Sequence, residues 1–198
     1  MNYLVKSPGR TGSIFIAQWI AKHQGCIYIS THTDNFYERL HQVSVVEKLP
    51  VVIHDHYEFV PLFPSKWVLI LSDRQDKFDG IISAIIAENT GNWGAYNIPY
   101  PKNITIDFEQ VQEKHRGRRN KTQKDSIVAA TYFWHKTMRI HQEDLSHNYL
   151  APKLHWNEPT SRTSKFTMGV QKSPYNKQKY VTNYTELKKQ YINWTRLS

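Results

Sequence analysis

The stretch that most constrains this chain comes almost at once. A short apolar run, Tyr3-Leu4-Val5, passes through Lys6-Ser7-Pro8-Gly9-Arg10-Thr11-Gly12-Ser13 into Ile14-Phe15-Ile16-Ala17-Gln18-Trp19-Ile20. An apolar run, a turn rich in Gly, Pro, Ser and Thr, and then apolar residues at helical spacing predict strand, loop and helix. A helix start leaves several backbone N–H groups unpaired and carries partial positive charge, so an anion is stabilised there twice. Gly9 and Gly12 allow the backbone a close approach to a ligand, while Lys6, Arg10, Thr11 and Ser13 offer charge and hydroxyl donors. The expected ligand is a phosphate or a sulfate.

The same alternation continues. Cys26 to Ser30 reads as a second strand, and Asp34 is placed to cap a helix from about Asn35 to Glu47, which Pro50 stops. Val51-Val52-Ile53-His54 reads as a third strand, β-branched and buried on both faces, and Lys66 to Leu71 as a fourth. A helix from about Lys77 to Glu88 follows, with Phe78, Ile81, Ile82, Ile85 and Ile86 on its apolar side. Strands alternating with helices predict an α/β fold, a three-layer sandwich with a mainly parallel central sheet. Ligands of such sheets bind beyond the carboxyl ends of the strands. The loop after Val5, the segment His54 to His56 and the segment Ser72 to Arg74 should therefore share one crevice.

The remainder is read more coarsely. Asn89 to Lys102 is expected to be a long surface loop, and Asp107 to cap a helix through roughly Lys114. Lys114 to Lys124, the strongest charge run, reads as a basic loop, either solvated and mobile or an anion-gripping flap. A long helix is expected from Asp125 or Ser126 to about His141. After an irregular segment from His147 to Lys179, a short strand near Tyr180 to Thr182 and a helix from about Glu186 to Trp194 close the chain.

The 198 residues suffice for one domain, and a single domain over 1–198 is the expectation. One cysteine, Cys26, leaves no internal disulfide framework and fits a reducing compartment. Met1 leads directly into the first strand, and no apolar run is long enough to span a bilayer, so no signal peptide, no membrane and a cytoplasmic location are expected. A net charge of +9 and a pI near 9.5 point to an anionic partner.

Gly12 is followed by Ser13, not Lys, so the loop lacks the spacing of the nucleotide-triphosphatase cradle. Arg10-Thr11-Gly12-Ser13 instead resembles the Arg-Ser-Gly-Thr/Ser loop with which sulfotransferases hold the 5′-phosphosulfate of 3′-phosphoadenosine 5′-phosphosulfate (PAPS). Arg74, after the strand Trp67 to Leu71, and Ser83 in the next helix resemble the family's pair for the 3′-phosphate. The family spaces that pair eight apart, whereas here the separation is nine; in the other register Ser72 and Gly80 take the two places. Val51-Val52-Ile53-His54-Asp55-His56 resembles the family's strand ending in Lys-Thr-His. The resemblance covers residues 3–90, the motif-bearing core.

The resemblance implies a P-loop-like sulfotransferase architecture that transfers a sulfuryl group from PAPS to a hydroxyl or amine acceptor. The donor leaves adenosine 3′,5′-bisphosphate (PAP), and no metal is required. Lys6, Gly9, Arg10, Thr11, Gly12, Ser13, Arg74 and Ser83 would bind the donor. His56 would be the catalytic base, with His54 as its alternate, and Lys6 would assist the departing oxygen. The acceptor, a small molecule or glycan, is not named by any motif. Two other classes stay open. One is a nucleic-acid-binding protein that grips phosphates with the basic run and stacks bases on its aromatic residues. The other is a metal-dependent phosphohydrolase using His54 and His56, with Asp73 or Glu58 as a third ligand.

Overall fold

The computed structural model describes residues 1–91, 103–145 and 177–197. They form two compact units, one of residues 1–75 and 121–145, the other of 76–91, 103–120 and 177–197.

The first unit is built on a parallel sheet. Its strands are β1 (Asn2–Lys6), β2 (Ile27–Ser30), β3 (Val51–Asp55), β4 (Trp67–Asp73) and β5 (Lys136–His141), in the order β2-β3-β1-β4-β5. Every neighbouring pair is parallel, with Leu4 beside Ile53 and Leu69. β1 is thus the central strand. Period-two alternation sends its side chains to two separate cores. Tyr3 and Val5, with Val52, Val68 and Ile70, pack under Ile16, Ala17, Trp19 and Ile20 of helix α1 (Ser13–Gln24). Leu4, Ile53, Leu69 and Leu71 face Phe36 of helix α2 (Phe36–His41), then Val43 and Trp134. Helices on both faces of a parallel sheet bury strands that are apolar throughout.

The second unit gathers around α3 (Lys77–Thr90), the first part of α4 (Phe108–Thr131) and α5 (Tyr184–Leu197). Phe78, Ile81, Ile82, Ile85 and Ile86 of α3 pack with Val111, Tyr184, Leu187 and Tyr191. Asp76 caps α3 by accepting the Asp79 amide at 2.8 Å. Lys177, buried, pairs with Asp79.

Four expectations are corrected. Lys114 to Lys124 is not a loop but the middle of α4, since Lys, Arg and Gln are good helix formers and Gly117 alone costs about 1 kcal/mol. The helix expected from Asp125 to His141 ends at Thr131, and Lys136–His141 is β5. Tyr132, Trp134 and Met138 imitate helical spacing, but the open edge of β4 needs backbone partners, and Met138 and Ile140 alternate toward the core. The helix expected from Asn35 to Glu47 is present as α2 running on into a π-helical turn at Gln42–Val46, but its N-cap is Asn35, without a side-chain hydrogen bond, and not Asp34. The strand expected near Tyr180 is a single bridge between Val181 and Ile104. Most of the Asn89 to Lys102 segment, and the irregular segment up to 176, lie outside the described residues.

Leu69, fully buried at the centre of β4, should lose about 2–5 kcal/mol on replacement by Ala, whereas Leu62→Ala, at an 86% exposed position, should stay within about 0.5 kcal/mol. Urea unfolding of the two variants beside the parent measures both.

Candidate functional site at the carboxyl edge of the sheet

In a sheet of order β2-β3-β1-β4-β5 the chain leaves β1 toward one side and β4 toward the other, so the switch point lies between these two strands. The loop that follows β1 crosses this point. Gly9, Arg10 and Gly12 all have left-handed backbone, with φ of 83°, 52° and 75°. Turns of this kind can direct backbone amides inward, and here the Gly9 amide donates to Ser7 Oγ at 3.3 Å. Gly12 is the N-cap of α1, whose first turn has no acidic residue and whose cap makes no side-chain hydrogen bond. A Cβ at Gly12 would run into Leu145 Cδ1, and one at Gly9 would sit 4.0 Å from His56 Cε1. The loop therefore passes beside the β3 exit, and it is the positive φ at Gly9, not lack of room, that calls for glycine there.

At that exit an ion pair lies out of water. Lys6 Nζ pairs with Asp55, both side chains fully buried, and donates at 3.2 Å to the Tyr57 carbonyl. Asp55 Oδ1 accepts from the Tyr57 amide at 2.8 Å and from Thr31 Oγ1 at 3.1 Å. This network ties the ends of β1, β2 and β3 together. The ammonium of Lys6, expected to meet the anion, is thereby matched by Asp55.

His54, Asp55 and His56 alternate across β3 and its exit, as side chains in a strand must. His54 is buried, its Nε2 2.9 Å from Ser13 Oγ; His56 is half-buried, its Nδ1 3.1 Å from both Ser7 O and Ser7 Oγ. The two rings are 4.4 Å apart. His32, after β2, has its ring 5.2 Å from that of His56, and its Nδ1 is 3.3 Å from Tyr57 Oη. Burial holds the His54 imidazole down at about 3, reinforced by His56 and His32. Burial also lowers His56, while the Ser7 carbonyl and Asp55 act to raise it.

From β4, Ser72 Oγ lies 2.8 Å from Thr11 O and 2.9 Å from Thr11 Oγ1, fastening the loop to the switch point. Arg74 Nε is 3.6 Å from Glu143 Oε1, and Glu143 Oε2 accepts the Gln75 amide at 3.0 Å. Asp73 faces Arg139 at 3.7 Å. A small cleft beside the loop is lined by Lys6, Pro8, Ser72, Asp73, Asp125 and Arg139. Asp125, on the part of α4 that belongs to this unit, is buried and pairs with Lys121; burial pushes its carboxyl up.

The structure thus brings together Lys6, Gly9, Arg10, Thr11, Gly12, Ser13, His54, His56 and Arg74 at one edge. Ser83 belongs to the second unit, on α3, and is 2% exposed. Sequence reasoning passed over Ser7, His32, Ser72 and Asp125 as site residues. The strand-exit rule that singled out His56 applies equally to Ser7, His32 and Ser72, whereas Asp125 arrives from a helix far along the chain. Among the described residues no group of three or more His, Cys, Asp and Glu is arranged to hold a metal ion. Nor, among them, is any helix long and apolar enough to cross a membrane.

No family model matches the chain, and none of the curated proteins compared with it matches either. Among solved structures it is similar to an uncharacterized protein from Eubacterium ventriosum, at 10% identity and a TM-score of 0.39, over 71% of this chain and 88% of that one.

Two measurements test the buried charges. Since His54 titrates at about 3 when folded and near 6.5 when unfolded, the unfolded state binds the extra proton between those values. Stability should fall as pH drops below about 6.5, by up to about 1.4 kcal/mol per pH unit from this group, and His54→Gln should flatten the slope. Lys6→Met or Asp55→Asn alone should cost about 3–5 kcal/mol by leaving a buried charge unmatched, and the double variant should cost less than the sum of the two. Denaturant melts across a pH series and a double-mutant cycle read these out.

Proposed function

We propose that this chain is a sulfotransferase-like enzyme that holds the phosphosulfate donor PAPS on the loop Ser7 to Gly12 and at the start of α1. The single observation carrying this reading is the run of left-handed residues Gly9, Arg10 and Gly12 that opens α1 at the carboxyl end of the central strand. Amides of such a turn and of the first helical turn are donors suited to a tetrahedral oxyanion. The donor would supply an activated sulfuryl group joined to a phosphate.

The residues around the loop divide the remaining roles. Arg10, within the turn, supplies the cation for the anion, since the charge of Lys6 is matched by Asp55. Thr11 is held in place by Ser72, whose single hydrogen goes to the Thr11 carbonyl, so the Thr11 hydroxyl is engaged with Ser72 Oγ and the residue contributes a fixed backbone to the loop. His56 takes the proton of the acceptor hydroxyl or amine on Nε2, because Nδ1 is engaged with a carbonyl that only accepts. His54 is a poorer base: it is 2% exposed and its Nε2 is in contact with Ser13. Arg74, next to the same edge, remains the candidate for the 3′-phosphate. The acceptor is a hydroxyl or amine compound reaching His56.

Calorimetric titration with PAP tests the donor site. The parent chain should bind, Arg10→Ala and Arg74→Ala should each weaken binding about ten- to a hundredfold through loss of a charged hydrogen bond, and EDTA should change nothing. A well-folded parent that fails to bind would sink the reading. Single-stranded nucleic acid and divalent metals would then be the next ligands titrated.

A further inference from the structure

Four side chains at the ends of β1 and β3 and the start of α1 form a continuous row. His56 Nδ1 lies 3.1 Å from Ser7 Oγ, Ser7 Oγ 3.0 Å from Ser13 Oγ, and Ser13 Oγ 2.9 Å from His54 Nε2. Hydroxyls and imidazoles can donate in either direction, so distances alone do not orient such a row. Two further contacts do.

His56 Nδ1 is also 3.1 Å from the Ser7 carbonyl oxygen, which can only accept, so this nitrogen carries a hydrogen. Ser7 Oγ then receives from His56 Nδ1–H and, at 3.3 Å, from the Gly9 amide, which occupies both of its lone pairs. Its single hydrogen is directed to Ser13 Oγ. Among the described residues the Ser13 hydroxyl has only Ser7 and His54 as partners, so, accepting from Ser7, it passes its own hydrogen to His54 Nε2, the one acceptor within reach. The proton of neutral His54 sits on Nδ1, a buried atom with no hydrogen-bond partner among the described residues. In the reverse orientation the Ser7 hydrogen would point at His56 Nδ1–H, a clash of two donors.

We propose that Ser7 and Ser13 are positioning residues, a two-hydroxyl relay that couples the tautomer of His56, set by the Ser7 carbonyl, to that of His54. The row stands on contacts within the first unit; only its catalytic consequence rests on the sulfuryl-transfer reading. His56 keeps its lone pair on Nε2, His54 becomes the closed end of the row, and the hydroxyls of Ser7 and Ser13 are occupied by the row itself.

The charged and titratable groups around the row come from every neighbouring strand and from α4. They are Lys6 on β1, His32 after β2, Asp55 on β3, and Lys121 and Asp125 on α4. Burial lowers both histidines, so both are neutral near neutral pH and each must choose one tautomer.

The test is two-bond proton–nitrogen NMR of the imidazole rings in the whole ¹⁵N-labelled chain near pH 7.5. In the parent both His54 and His56 should appear as the Nδ1–H tautomer. Ser13→Ala should abolish the single-tautomer signature of His54 and leave that of His56 intact, and Ser13→Thr, which retains the hydroxyl, should restore it. A parent whose His54 carries its proton on Nε2, or a Ser13→Ala variant whose His54 is unchanged, would overturn the relay. These spectra are read without nucleotide, so failure of the relay and failure of PAP binding are separate results.

Discussion

The ion pair between Lys6 and Asp55 holds the carboxyl edge of this sheet in one arrangement. Two charges taken fully out of water must stay together, because separating them would leave each unsolvated. Lys6 is the last residue of β1 and Asp55 the last of β3, adjacent in register, so the pair fixes where both strands end. The Tyr57 and Thr31 contacts extend the constraint to the β3 exit and to β2. From that fixed edge the loop Ser7 to Gly12 departs on one side of Lys6 and His56 emerges beyond Asp55. A buried pair of this kind adds little net stability relative to an apolar one, but it tolerates few alternative arrangements.

Around this anchor the site is assembled from backbone conformation more than from side chains. Gly9, Arg10 and Gly12 turn the loop, Ser72 fastens Thr11 to β4, and Leu145 closes against the face of Gly12 where a Cβ would stand. Side chains that look like ligand donors on paper are committed to each other: Ser7 to Ser13, Ser13 to His54, Lys6 to Asp55. A loop with its hydroxyls internally engaged leaves backbone amides and cations as the groups on which the proposed oxyanion site relies.

The residues named by the family resemblance lie in the first unit, apart from Ser83 in the second. Ser83 stands nine residues after Arg74 where the family's pair is eight apart, and it lies on a helix of a unit with its own core. The reading of β5 as helix shows the same limit from another direction. Trp134 and Met138 have helical spacing only because an edge strand with one buried face carries a weak signal, and what decides its conformation is the unpaired edge of β4, far earlier in the chain.

Strand–loop–helix at residues 2–24, the four strands of the first 75 residues and the gathering of three loops at one edge were written in the sequence. Their apolar runs are local, and parallel sheets put every strand exit on the same side. The sequence also marked His54 and His56 as sharing a face, because period two follows from the strand itself. What only the tertiary structure decided are the partners: that Lys6 answers Asp55, that Ser13 meets His54, and that Asp125 reaches the cleft from α4. The first two pairings join residues 49 and 41 positions apart. No local pattern encodes them, since burial and desolvation, which act only once the chain is folded, select which charges and hydroxyls must meet.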